Sequence, residues 1–304
     1  MGSHSLTTES INPNTIEIDN MSTLEMLSTI NKEDQYVAQA IENVLPSIAE
    51  AVDAVYEGIK EGGRVFFVGA GTSGRLGVLE AAELPPTYGV NPDFFQALIA
   101  GGERAVFKSV ESAEDNEEQG AIDLLNKKLS GKDIVIGIAA SGKTPYVIGA
   151  IKYANQINAK TISIACNSNS AIGYLANIKI EVVPGPEVIS GSTRMKAGTA
   201  QKLVLNMITT SAMIRLGKVY QNLMIDLNIS NNKLRERAVK MLMMITEVDE
   251  ETARQALEAS NLSVKKAIVM LKKQVSVERA SELLDQNEGY VRQAIHVTNE
   301  SIEK

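Results

Sequence analysis

The sequence is poor in the residues that build metal centres and disulfides. Among its 304 residues there is one cysteine, Cys166, and there are two histidines, His4 and His296. A single cysteine excludes an intrachain disulfide and a thiolate metal cage. Two histidines far apart in the chain argue against a His-based metal centre or a Ser-His-Asp triad. Acid–base chemistry must then rest on carboxylates, Lys, Tyr or the substrate itself. Long apolar runs are missing too. The longest nearly charge-free stretch is Leu203–Ile214, interrupted by Asn206, Thr209, Thr210 and Ser211. It falls short of the ~20 residues that a membrane span needs. There is no basic block, and the net charge is −7, so general binding to nucleic acid or to anionic membranes is not expected. No basic segment followed by an apolar one opens the chain, so no secretory signal is expected. Met1-Gly2-Ser3-His4 looks like a cloning remnant and carries no weight.

What is present reads as a folded chain. Apolar residues make up 44% and charged residues 22%, a balance that argues against disorder. The length suggests about two domains. Residues up to about Asn20 are polar and read as an extended arm. From Glu33 to Lys60, Val37, Ile41, Val44, Leu45, Ile48, Val52, Val55 and Ile59 recur mostly at three- and four-residue spacing, the stripe of an amphipathic helix. Pro46 predicts a kink or a break within it, and Glu61-Gly62-Gly63 ends it.

Short apolar runs then alternate with helical stretches. Arg64–Val68, Phe94–Ala100, Asp133–Ala139, Thr161–Cys166 and Ile178–Val183 read as five strands. A helix to about Leu84 follows the first, and Pro145–Asn155 follows the third. The alternation predicts an α/β fold, a doubly wound and mainly parallel five-stranded sheet with ligands at the carboxyl ends of its strands. A helix over about Arg194–Leu216 is apolar nearly all round and is expected to be central and buried. Beyond about Ser230 only helices are expected: Lys233–Glu247, Glu250–Ser260, Ser263–Lys273 and Val277–Asp285. The expected organisation is an arm and amphipathic helix over residues 1–54, a catalytic α/β domain over 55–230, and a smaller all-helical module over 231–304.

Two turns look alike. Gly69-Ala70-Gly71-Thr72-Ser73-Gly74-Arg75 follows the first strand and opens a helix, which is the G-x-G-x-x-G dinucleotide fingerprint in its proper context. A nicotinamide or flavin enzyme would want an acid at the end of the next strand, but that strand ends Leu98-Ile99-Ala100-Gly101-Gly102. The turn also carries the hydroxyls of Thr72 and Ser73, which a pyrophosphate site does not require. Ala139-Ala140-Ser141-Gly142-Lys143-Thr144-Pro145 repeats the design, with Ser141 and Thr144 as hydroxyls and Pro145 suited to a first helical position. A helix amino terminus favours an anion. Two such turns suit a phosphorylated small molecule better than a dinucleotide, although each also serves as an ordinary connection of strand to helix.

These paired turns resemble the sugar isomerase (SIS) domain, whose Ser/Thr-rich loops hold sugar phosphates. A further stretch narrows the resemblance: Gly185-Pro186-Glu187-Val188-Ile189-Ser190-Gly191-Ser192-Thr193-Arg194-Met195-Lys196-Ala197-Gly198-Thr199-Ala200-Gln201-Lys202. Along its whole length it is similar to the signature shared by N-acetylmuramic acid 6-phosphate etherases and the glucokinase regulatory protein. The resemblance runs from Leu6-Thr7-Thr8-Glu9 through Ser22-Thr23-Leu24-Glu25-Met26 to the helical tail, where Ala256–Met270 looks similar to a ubiquitin-associated (UBA-like) three-helix fold. The length matches the bacterial etherase family.

The resemblance points at two acids. Glu83 lies in Glu80-Ala81-Ala82-Glu83, where etherases often carry Asp-Ala-Ser-Glu. Glu114 lies in Glu111-Ser112-Ala113-Glu114-Asp115. Taken alone, Glu83 also reads as a solvated helix-end acid. Glu111, Glu114, Asp115, Glu117 and Glu118 also read as an acidic helix start, favourable with the macrodipole. Cys166 reads as a buried core residue, and His296 as a surface residue of the last helix.

The activity that the resemblance implies is cleavage of the lactyl ether of N-acetylmuramic acid 6-phosphate to N-acetylglucosamine 6-phosphate and D-lactate. Glu83 is expected to protonate the departing lactate and to activate water. Glu114 is expected to take the C2 proton. Thr72, Ser73, Ser141, Gly142 and Thr144, with Ser190 and Ser192, are expected to bind the substrate. No metal and no cofactor are expected. The partners implied are a phosphorylated amino sugar and a second copy of the chain, in a cytoplasmic homodimer that recycles cell-wall sugars. Two alternatives stay open at this point: a non-catalytic regulator that responds to a phosphosugar, and an aldose–ketose sugar-phosphate isomerase.

Overall fold

The computed structural model describes residues 6–229 and 231–296; Met1–His4, set aside above, lie outside them. The chain divides into two compact units. One holds the chain up to Glu83 together with Asn91–Thr210, and the other holds Leu84–Val90 together with the chain from Ser211 onward.

The first unit opens with the arm, which is not extended. It makes three single turns of 3-10 helix, at Thr7–Glu9, Pro13–Thr15 and Ile18–Asn20, and buries Thr8, Asn12 and Thr15. These are polar residues, so the apolar pattern carried no sign of their burial; hydrogen bonds hold them instead. Helix α1 covers Thr23–Glu42 and begins ten residues before the apolar stripe does. Its start is fixed by a capping box, in which Ser22 and Glu25 each bond the other's backbone N–H. Helix α2 is Leu45–Lys60, with Pro46 in its first turn, where the missing N–H costs nothing. The expected break is therefore present as two helices, and α2 buries Ile48, Ala51, Val52, Val55 and Ile59.

The alternating part follows as β1 Val65–Gly69, α3 Gly71–Tyr88, β2 Phe95–Ile99, α4 Glu103–Phe107, α5 Glu117–Asn126, β3 Ile134–Ile138, α6 Pro145–Gln156, β4 Lys160–Ala165, α7 Ala171–Leu175, β5 Ile178–Glu181 and α8 Lys196–Arg215. All five strands were legible, and they pair in parallel in the order β2-β1-β3-β4-β5. Every residue of β1 and β3 is buried, as befits strands covered on both faces. One face packs Phe66, Val68 and Val135 with Tyr146, Val147, Ala150 and Ile151 of α6. Helix α3 runs on past Pro85 and Pro86 to Tyr88, beyond the expected end near Leu84. Helix α8 is mostly buried but exposes Asn206, Met207 and Ile214, so it is covered on three sides rather than all round.

The second unit carries a two-stranded antiparallel hairpin, β6 Val219–Tyr220 and β7 Leu223–Met224. Helices α9 Asn232–Thr246, α10 Glu250–Ala259, α11 Val264–Lys273, α12 Val277–Gln286 and α13 Val291–His296 follow. The first four match the expected helices. Asn231, Asp249, Ser263 and Ser276 cap them, each accepting from the backbone N–H three residues on. Leu242, Leu257, Val264, Ile268 and Leu283 form the centre of a separate core. No helix among the described residues is long and apolar enough to cross a membrane.

Candidate functional site

In an open parallel sheet the ligand crevice lies outside the carboxyl ends of the strands, where the strand order reverses. Here the reversal falls between β1 and β3, and the segments that leave those two strands are the two glycine- and serine-rich turns.

The first turn is close-packed. A Cβ on Gly69 would lie 2.7 Å from the backbone nitrogen of Gly74, and one on Gly74 would lie 2.6 Å from Cγ1 of Ile99. Gly71 adopts φ +53, and a Cβ there would meet nothing within 4 Å. The first turns of α8 press on this loop. A Cβ on Gly198 would stand 3.3 Å from the Thr72 methyl, and Ser73 Oγ donates to Gln201 Oε1 at 2.9 Å. Ser73 is buried at 7% exposure, which the sequence did not reveal. The second turn is close-packed at its glycine as well. Gly142 takes φ +70 and leaves no room for a Cβ, which would fall 2.3 Å from that of Ser170. Ser141 Oγ accepts from the Lys143 N–H at 3.2 Å. Thr144 stands at the N-cap of α6 without a side-chain capping bond.

Glu114 sits in a single 3-10 turn, Ala113–Asp115, that follows Ser112 at φ 60. A cleft of about 240 Å³ is lined by Glu114, Glu111 and Ser112 from this segment, by Ala70, Gly71 and Arg75 from the first turn, and by Ala100 beyond β2. The structure thus brings Glu114 to the first turn. Arg75 adds a cation, its Nε donating to the Val106 carbonyl. Glu111, Glu114, Asp115, Glu117 and Glu118 are all exposed, and Glu117 pairs with Lys152 at 2.6 Å.

Glu83 is exposed and does not line that cleft. It lies twelve residues beyond Gly71 on α3, about 18 Å along the helix axis. Glu80, three residues earlier, is buried; it pairs with Lys202 and accepts from Thr209 Oγ1 at 2.8 Å. Two acids of one tetrapeptide thus have opposite surroundings: Glu80 braces α3 to α8, and Glu83 is free in solvent.

The segment 185–202 is held by buried charge. Glu187 accepts from the backbone N–H groups of Lys196 and Ala197 at 2.8 and 2.9 Å, capping α8. Burial raises the pKa of Glu187 despite those bonds. Lys196 Nζ donates to Glu33 Oε2 at 2.6 Å, and both side chains are almost wholly buried. Burial opposes ionisation of Glu33, but hydrogen bonds from Lys196, Asn14 and Asn12 outweigh it and lower its pKa. The arm closes over the segment: Thr15 Oγ1 donates to the Val188 carbonyl at 2.8 Å, and Ser190 Oγ to that of Ser10 at 3.3 Å. Asn167, past β4, donates to Thr8 Oγ1 and to the Ala140 carbonyl, tying the arm to the second turn. Ser192 is half-buried in the same segment. Cys166 is wholly buried; burial first, and the charge of Glu187 second, push its thiol far above its ordinary range. It is a core residue, as expected.

A larger hollow of about 590 Å³ lies among Glu50, Glu57, Lys132, Asn155 and Lys160. These residues flank the amino ends of β3 and β4, the edge opposite the crevice, so size alone does not mark the site. Among the described residues no group of three or more His, Cys, Asp or Glu could hold a metal ion.

Three family descriptions match this chain: the glucokinase regulatory protein N-terminal SIS domain over residues 47–155, the SIS domain over 112–211, and the C-terminal lid domain of glucokinase regulatory protein over 221–266. The N-acetylmuramic acid 6-phosphate etherase of Pasteurella multocida is 54% identical over 292 residues, 96% of this chain and 97% of that protein. N-acetylmuramic acid 6-phosphate etherase 1 of Bacillus licheniformis is 52% identical over 297 residues, 98% of each. Among solved structures, a phosphoheptose isomerase from Neisseria gonorrhoeae aligns with a TM-score of 0.50 at 15% identity, covering 62% of this chain and 98% of that one. That last likeness is one of fold.

Proposed function

Since this chain belongs to the N-acetylmuramic acid 6-phosphate etherase family, we propose that it cleaves the lactyl ether of that phosphosugar by elimination and hydration, with Glu114 and Glu83 moving the protons. In the open-chain sugar the C2 hydrogen is α to the C1 aldehyde, and the ether oxygen on C3 is β to it. Glu114 takes the C2 proton. The C3–O bond breaks with its electron pair going to oxygen, and Glu83 protonates that oxygen as D-lactate leaves. A C2=C3 double bond conjugated with the aldehyde remains. Glu83, now ionised, takes a proton from water as its oxygen adds at C3, and Glu114 returns a proton to C2. Two carboxylates suffice for every transfer, and activity is expected to survive exhaustive chelation.

The observation that carries this reading is the shared cleft of Glu114, Arg75 and the first turn, at the carboxyl edge of the sheet. Thr72, Ser73, Ser141, Gly142 and Thr144 hold the phosphate and sugar hydroxyls, aided by the amino ends of α3 and α6, and Ser190 and Ser192 complete the substrate contacts. The position of Glu83 adds a condition. Glu83 does not line the cleft of Glu114 in the same chain, and about 12 Å of α3 separate it from Arg75, which does. A second copy supplies the carboxylate, so the working form is a homodimer with its sites near the subunit interface. The setting is cytoplasmic recycling of cell-wall amino sugars. The test is release of free lactate from N-acetylmuramic acid 6-phosphate, with size determination in solution. Neither an aldose–ketose isomerase nor a non-catalytic regulator releases lactate, and an active monomer would overturn the assignment of Glu83 to the second copy.

A further inference from the structure

Gln201 lies in the second turn of α8 and is fully buried. Its amide presents two unlike atoms. Oε1 accepts from Ser73 Oγ at 2.9 Å, whereas Nε2 has no hydrogen-bond partner among the described residues. A buried N–H without a partner is a standing cost, and such an atom in a folded protein calls for a reason.

The reason follows from counting protons. A serine hydroxyl has one. While Ser73 gives it to Gln201, it has none for a phosphate oxygen. A half-turn of the amide exchanges its two ends. Nε2 then donates to Ser73 Oγ and the proton of Ser73 is released, while the carbonyl oxygen is left without a partner; the charge-assisted bond from Ser73 to a phosphate oxygen is what favours this arrangement once the ligand is present. The contact of Thr72 with Gly198 keeps α8 close to the loop in either arrangement, so only the amide need move.

We infer that Gln201 is a positioning residue that sets the direction of the Ser73 hydroxyl. In the arrangement described, Ser73 donates to Gln201. On binding of the phosphorylated sugar the amide turns over, Gln201 donates to Ser73, and Ser73 donates to the phosphate. The inference rests on the reading of Ser73 as a phosphate ligand, and the test separates the two.

The experiment is steady-state lactate release by the full-length enzyme and four variants, each with a melting curve. Ser73→Ala is expected to raise KM by ~10–100-fold, the loss of a hydrogen bond to a charged group. Gln201→Met is expected to raise KM several-fold with kcat nearly unchanged. The double variant is expected to be no worse than Ser73→Ala, because Gln201 acts through Ser73. The isosteric Gln201→Glu gives the sharpest readout. An ionised carboxylate only accepts, so it fixes the Ser73 proton on itself and repels phosphate. Its KM relative to wild type is expected to be highest near pH 8 and to shrink as pH falls to about 5, where the introduced carboxyl, raised by burial, can donate.

If Ser73→Ala raises KM while both Gln201 variants keep the wild-type value, the inference falls and the phosphate reading stands. If Ser73→Ala leaves KM unchanged, the reading of Ser73 fails and takes the inference with it. A Gln201→Glu defect that ignores pH, or a loss of melting temperature and kcat at constant KM, means that Gln201 only fills space, which also overturns the inference.

Discussion

The turn after β1 and the turn after β3 are written in the same residue types, and their serines meet different fates. Ser73 is buried against α8 and its proton goes to Gln201, whereas Ser141 is half-buried and only accepts, from the amide of Lys143. The acids differ as well. The first turn shares a cleft with Glu114. Beside the second turn, Glu181 is occupied by Ser170 and the Asn169 N–H. Residue type sets what a turn can do, and the elements laid over it decide which of its groups remain available. On the proposed reading the hydroxyls of both turns hold the substrate, and only the first turn has a proton-moving acid beside it.

The largest effects should come from Glu114, beside the first turn, and from Glu83, assigned to the same chemistry from a second copy. Glu114→Gln and Glu83→Gln are each expected to lower lactate release by ~10²–10⁴-fold with little change in melting temperature. Glu181→Gln should keep kcat near wild type and lower stability instead. Equal losses at Glu114 and Glu181 would erase the distinction between the turns.

The serines come next. Ser73→Ala and Ser141→Ala should each raise KM by ~10–100-fold. Only Ser73→Ala should also melt earlier, because it leaves a second atom of Gln201 without its partner; about 1–3 kcal/mol is at stake, or some degrees of melting temperature. Matching melting curves would show that the burial of Ser73 carries no energetic weight.

Glu80 and Glu83 repeat the comparison at closer range. Glu80→Ala breaks the pairing with Lys202 and Thr209. It should cost about 1–3 kcal/mol of stability, toward the low end since Lys202 can turn to solvent, with a smaller loss of activity than at Glu83. Sequence could not separate this pair, because identical side chains three residues apart differ only in what α8 covers. The same cause hid the partner of Ser73. What apolar spacing and glycine placement encode was readable: the five strands, the break near Pro46, the two turns and the four later helices. The start of α1 was written in the Ser22–Glu25 capping box but lay outside the apolar stripe. The docking of the arm was not readable, because Thr8, Asn12 and Thr15 are buried by hydrogen bonds rather than by apolar contact.

The smallest effect concerns acid stability. The pKa of Glu33 is lowered in the folded chain, so its contribution is present above the ordinary glutamate pKa and is lost as pH falls through the lowered value. Glu33→Gln should flatten that acid limb in melting curves taken across the range. An unchanged limb would mean that the Lys196 lock does not tie the arm side of the site to pH.

The central claim is elimination followed by hydration at C3, and isotopes follow it directly. In wild type run in oxygen-labelled water, the label should appear at C3 of the N-acetylglucosamine 6-phosphate and not in the lactate. In deuterated water, Glu83→Gln should still exchange the C2 hydrogen of the substrate while releasing almost no lactate, and Glu114→Gln should do neither. The reverse pattern in the two variants would keep the pair and exchange their roles. Label in the lactate would mean attack on the lactyl carbon, and the account would be wrong.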